Sequence, residues 1–150
     1  MGFKLSKRSM AKLEGVQPKL VAVVQRAIEI TNVDFGVIQG LRTVEEQREL
    51  VAKGASQTMK SKHITGEAVD VMAYIGSRGS WEMTLNDHIA DAFKLAAIEE
   101  DVQIRWGAAW QVTDLREWDG TMQDAMDEYI DLRRSQGRRP FIDGPHFELM

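Results

Sequence analysis

The sequence predicts a single α+β domain, a small and mainly antiparallel sheet flanked by helices. Three observations lead there. Helical and strand-like periodicities are intermixed without the strand–helix–strand rhythm of a parallel fold. The 150 residues suit one hydrophobic core. No internal repeat or low-complexity segment divides the chain.

The elements follow in order. Pro18 to Thr31 reads as a helix, with Pro18 in its first turn, where an N–H would go unpaired anyway, and Leu20, Val24, Ala27 and Ile28 on one face. Val33 to Gln39 alternates, Val33, Phe35 and Val37 to one side, and reads as a strand. Thr43 to Lys53 is a second helix: Thr43 with Glu46 makes a capping box, Gln47, Leu50 and Val51 share a face, and Gly54 stops it. Ala68 to Tyr74 reads as a strand and Gly76 to Ser80 as a loop. Thr84 to Glu100 is a long helix capped by Thr84, with Leu85, Ile89, Ala92, Phe93 and Ala96 facing inward. Ile104 to Trp106 is a short strand. Thr121 to about Arg134 is an amphipathic helix through Met122, Ala125, Met126, Tyr129 and Ile130, and Phe147 to Met150 closes the chain as a strand.

Composition narrows the function classes. A net charge of −4 argues against nucleic-acid binding by bulk electrostatics. The basic cluster of Arg133, Arg134, Arg138 and Arg139 reads as a solvated helix end, where cations are favoured. Without cysteine there are neither disulfides nor thiolate metal ligands. No stretch approaches the ~20 apolar residues of a membrane span, so no stable membrane insertion is expected. The first residues, MGFKLSKRSMAKLEG, lack the apolar run of a secretion signal, and a cytoplasmic location is expected.

One strand is anomalous. Asp70 stands between Val69 and Val71, and a buried carboxylate needs a cation or a set of donors. Lys62 is the one Lys or Arg between Ser61 and Ile75, so the partner comes from elsewhere or is a metal. Of the three histidines, His88 sits within the long helix and reads as a surface or core residue. His63 and His146 each lie near acidic residues, in SKHITGEAVD and DGPHFEL. Two histidines and one carboxylate, with a fourth position left to water, make a catalytic zinc set. The competing reading is two unrelated histidines and a salt-bridged aspartate. Extended chain would hold His63 and Asp70 roughly 23 Å apart, so a shared ion requires a reversal, which Thr65-Gly66 permits.

The string Ser61-x-His63-x-x-Gly66-x-Ala68-x-Asp70, with the distant Asp143-x-x-His146, resembles the family of zinc D-alanyl-D-alanine carboxypeptidases and L-alanyl-D-glutamate peptidases. The resemblance extends upstream to GLRTVEEQRELVAKGASQT and runs from LEGVQPKLVAVVQRAIEIT to GPHFEL. The pattern is most similar to phage endolysins that act as L-alanyl-D-glutamate endopeptidases. It departs from them after IRWGAAW, where some thirty extra residues read as a helical insertion at about 111–140 within a single peptidase domain.

The resemblance implies a zinc site on the sheet with His63, Asp70 and His146 as ligands and Asp143 as general base. Glu148 competes for that last role, because a regular strand puts it on the face of His146. The resemblance also implies that Arg42 stabilises the oxyanion and that Ser61 binds substrate, with Gln47 doing likewise or merely packing. Trp106 and Trp110 either wall the cleft or pack in the core. The substrate implied is bacterial peptidoglycan, cut between L-Ala and D-Glu. The protein is expected to be a monomer that waits in the host cytoplasm and reaches the periplasmic wall after membrane breach. The alternatives are a D-alanyl-D-alanine carboxypeptidase and a non-catalytic wall-binding module; Arg42 and Asp143 argue against the module, which would need neither.

Overall fold

Amphipathic stripes and strand alternation sort this chain into a core side and an open side. The computed structural model describes residues 2–150. It begins with a short helix, α1 (Lys7–Lys12), capped by the Ser6 hydroxyl, which accepts from the Ser9 amide. The sequence gives no apolar stripe there, and only Ser9 of the helix is buried. Helix α2 (Pro18–Ile30) buries Leu20, Val23, Val24, Ala27 and Ile28, the expected face. Strand β1 (Asp34–Gln39) leads to α3 (Val44–Ala52), where both bonds of the Thr43–Glu46 capping box are formed.

Strand β2 (Ala68–Ile75) carries Asp70. The segment expected as a loop turns at Gly76, with φ 62°, and returns as β3 (Arg78–Ser80), pairing with Ala73 to Ile75. Three residues, Arg-Gly-Ser, are too few and too polar to display alternation. Helix α4 (Met83–Glu100) starts before Thr84, which therefore lies in its first turn rather than at its cap. Strand β4 (Ile104–Trp106), a 3-10 turn at Leu115–Glu117, helix α5 (Met122–Ser135) and β5 (His146–Leu149) complete the domain. β5 begins one residue earlier than expected, which brings His146 into the ladder.

The sheet order is β1-β2-β5-β4, with every pair antiparallel. One edge of β2 pairs with β1; along the other, Ala68 to Asp70 pair with β5 and Ala73 to Ile75 with β3. Val69, Val71 and Ala73 of β2, Phe147 and Leu149 of β5, and Ile104 and Trp106 of β4 join α2 and α4 in one core. Phe93 of α4 stacks on Phe147 with ring centroids 3.9 Å apart. The alternate positions, Asp70, His146 and Glu148, are thereby turned to the open side.

Residues 111–140 are built into this body. Leu115, Met122 and Ala125 belong to the same core, and the Met122 amide donates to Asp91 Oδ1 at 2.8 Å. Lys94 of α4 donates to the carbonyls of Trp118 and Gly120. Met122 is fully buried, so Met122→Ala is expected to cost about 2–5 kcal/mol of unfolding free energy. Urea denaturation checks this, and an unchanged midpoint would mean that α5 is not integral to the core.

Candidate active site

The chain reversal that the sequence requires between His63 and Asp70 is present. Residues 62–66 turn, and Gly66 adopts φ 72°. A Cβ there would fall 2.4 Å from the Gly15 carbonyl oxygen, so the bend demands glycine twice over. The Gln17 amide donates to the Gly66 carbonyl at 2.8 Å and ties the turn to the start of α2. His63 is thus delivered to Asp70, with Nε2 3.3 Å from Oδ1. From the other side, β5 sets His146 directly opposite Asp70, with Nδ1 3.0 Å from the same oxygen. One ligand atom from each of the three lies within 4.8 Å of the others.

Neighbouring groups orient both imidazoles. The Gly40 carbonyl lies 2.8 Å from His63 Nδ1 and can only accept, so Nδ1 carries a proton and Nε2, facing Asp70, is the nitrogen left for a metal. His146 Nε2 lies 2.9 Å from Glu148 Oε1. Burial favours the neutral Glu148, but the bond from His146 and the charges of His146, Lys62 and Arg105 hold its pKa below the usual range. An ionised Glu148 accepts from Nε2–H, which leaves Nδ1 facing Asp70. Asp70 also sits well below the ordinary carboxylate range: burial opposes ionisation, and the bonds from His146 and His63 overcome it. Burial would likewise lower His146, yet the bonds to Asp70 and Glu148 raise it to about 9.

Asp143 is bent into the same cleft by the turn at Gly144 and Pro145. Its amide donates to the Gly107 carbonyl at 2.7 Å, and its carbonyl accepts from the His146 amide at 3.0 Å. This close approach requires Gly107, whose Cβ would lie 2.2 Å from the Asp143 oxygen. Burial, then the charge of Asp70, raises the Asp143 pKa. Arg42 is fixed through its amide, donated to the His63 carbonyl at 2.9 Å, and through Nη1, donated to Gln47 Oε1 at 2.7 Å. Gln47 itself is fully buried; its amide nitrogen donates to Ser56 Oγ and the Thr58 carbonyl. It holds Arg42 from beneath and does not itself line the cleft. Ser61 accepts from the His63 amide at 3.2 Å. Arg42, Ser61, His63, Asp70, Asp143 and His146 all line one open cleft of about 870 Å³.

The comparisons with known proteins agree with this geometry. A family model described as phage L-alanyl-D-glutamate peptidase matches residues 1–150. The chain belongs to that family. Among its relatives, the L-alanyl-D-glutamate peptidase of Escherichia phage T5 is 34% identical over 154 aligned residues, covering 100% of both chains. The L-alanyl-D-glutamate peptidase of Listeria phage A118 is 27% identical over 106 residues, 69% of this chain and 37% of that protein. The crystal structure of the Serratia marcescens L-Ala D-Glu endopeptidase ChiX superposes with a TM-score of 0.73 at 35% identity, covering 99% of this chain and 91% of that one. The family resemblance read from the separated motifs is therefore borne out.

In this member of the phage L-alanyl-D-glutamate peptidase family, the other sequence candidates separate clearly. Trp106 is core: it is fully buried and donates its indole N–H to the Gly144 carbonyl at 2.7 Å. Trp110 is cleft wall, 5.8 Å from the His146 ring and 6.1 Å from Phe141, to whose carbonyl its indole donates. His88 is largely exposed beside Asp87 and takes no part. Arg133 and Arg134 lie in the last turn of α5, away from the cleft walls. Helix α5 does not line the cleft either; Trp110 and Phe141, flanking residues 111–140, do. Sequence reasoning missed Lys62, Arg105 and Phe141 as cleft residues. One available signal was the alternation in Ile104-Arg105-Trp106, which turns Arg105 away from the core.

Proposed function

We propose that the protein is a zinc-dependent endolysin that hydrolyses the L-Ala–D-Glu amide of peptidoglycan stem peptides. The observation that carries this reading is the convergence of His63, Asp70 and His146 beside Asp143 and Arg42 in one cleft of a phage peptidase. The donor set fits zinc. Two neutral imidazole nitrogens and a carboxylate leave one position open. Tetrahedral ligands ~2.1 Å from an ion stand roughly 3.4 Å apart, against 3.0 and 3.3 Å for the two histidine contacts to Asp70 Oδ1.

When bound, zinc supplies a Lewis acid and makes water acidic enough to ionise near neutral pH. The protein's own groups do the rest. Asp143, its pKa raised, takes the proton from the attacking water and returns it to the leaving D-Glu nitrogen. Arg42, held by Gln47, offers a fixed cation to the developing oxyanion. Ser61 borders the same space and is positioned to hydrogen-bond the peptide. Glu148, occupied by His146, braces a ligand rather than serving as base.

Proton release should accompany zinc uptake. His146 holds a proton up to about pH 9, and a cation at Nδ1 must displace it. Asp70 is already ionised, so its proton is not in play. Affinity should therefore fall as pH drops below about 9, roughly tenfold per unit for the single proton. Zinc titrations in buffers of differing ionisation enthalpy measure the release; no release at pH 7 would contradict it.

In this reading the enzyme is a monomer, gathers in the host cytoplasm and meets the periplasmic wall after membrane breach. Its phage relatives support a lytic role. Among the described residues no helix is long and apolar enough to cross a membrane. Digestion of purified muropeptides, read by mass, tests the activity. New L-Ala C-termini and D-Glu N-termini are expected; loss of a single terminal D-alanine would replace the reading with a carboxypeptidase.

A further inference from the structure

We propose that Arg105 is a specificity residue that recognises the free α-carboxylate of D-Glu, next to the bond being cut. The inference rests on the endopeptidase reading and deepens it. Arg105 lies on β4, opposite Glu148 of β5, and lines the cleft. Both Nε and Nη2 donate to the Trp110 carbonyl, and Cζ sits 5.0 Å from the Trp110 ring centroid. That ring is in turn 5.8 Å from the ring of His146. The guanidinium is thereby locked in one orientation in the cleft that holds the ligand set, one ring removed from His146.

Arg105 faces the cleft without a counterion, as Arg42 does. Among the described residues no carboxylate lies within 4.0 Å of it. Its strand partner Glu148 is committed elsewhere, to His146 at 2.9 Å and Lys62 at 3.7 Å. A neutral carbonyl fixes the fork without cancelling its charge, and Nη1 remains unbonded to protein. Arg42 is held in the same manner, by the neutral Gln47 amide. A half-buried, preorganised arginine with free donors suits a carboxylate better than a carbonyl, since the pair is charge-assisted. D-Glu places such a group on the carbon bearing the leaving nitrogen, the ligand carboxylate nearest the reaction.

The test compares stem peptides with D-Glu as the free acid and as its α-amide, using zinc-loaded wild type, Arg105→Gln and Arg105→Lys. A second pair of peptides, with diaminopimelate or lysine in third position, separates the D-Glu carboxylate from the next one along. Wild type should favour the free acid by about 10- to 100-fold in kcat/KM, as expected for one lost charged hydrogen-bond pair. Arg105→Gln should lose that preference by slowing on the acid alone, while Arg105→Lys keeps part of it. Zinc content and melting temperature report whether the variants are intact. Equal losses on acid and amide, no discrimination by wild type, or sensitivity only to the third residue would each overturn the assignment. Failure of every form to cut either peptide would instead overturn the endopeptidase reading.

Discussion

Exhaustive chelation should abolish hydrolysis of purified peptidoglycan, and one equivalent of zinc should restore it. This result is expected because nothing else in the cleft activates water strongly enough. Asp143 is a carboxylate, and a carboxylate alone is a weak base toward bulk water. His63→Ala and His146→Ala should each lose metal along with activity, since each residue of the set supplies just one ligand atom and none can stand in for another. Activity that survives with elemental analysis confirming zinc loss would sink the metal mechanism. Retention of full zinc affinity by either histidine variant would show that the ligands lie elsewhere.

Asp143→Ala should keep its zinc and lose roughly 10²–10⁴ in kcat, the usual worth of a general acid–base group. Glu148→Ala should behave differently. Its loss unclamps His146, so zinc affinity should drop by roughly 10–100-fold while kcat recovers at saturating zinc. The two carboxylates are five residues apart in sequence and both near His146, yet one is raised in pKa and the other lowered. In the proposed mechanism these environments give them opposite duties. If Glu148→Ala lost kcat with zinc in place and Asp143→Ala did not, the duties would have to be exchanged.

What the sequence disclosed follows from the range of the interactions. The Thr43–Glu46 box, the α2 stripe and the Gly66 reversal depend on neighbours a few residues away, and all are seen as expected. Asp70 between two valines was legible because an ionised group in an apolar strand has few explanations. Strand β3 was hidden by its brevity and α1 by its polarity. The work of Gln47 was hidden for another reason: an amide on a helix face looks the same whether it meets a ligand or braces Arg42. Only the tertiary contacts to Ser56 and Thr58 separate the two. The same holds for Arg105, whose significance lies in a backbone carbonyl five residues on and a counterion engaged elsewhere.

The pairing of β2 with β5 joins Asp70 and His146 across 76 positions of sequence. An ion held by both would act as a reversible cross-link in a chain with no cysteine to form a permanent one. Closing a loop of that length removes about 4–5 kcal/mol of chain entropy from the unfolded state by the polymer estimate for covalent bridges. A protease cut at the exposed tip near Gly76 or near Gly137 would fall inside this loop. The two fragments would remain fastened at the catalytic centre, so nicked enzyme should stay whole in native gels with zinc and come apart when the metal is withdrawn.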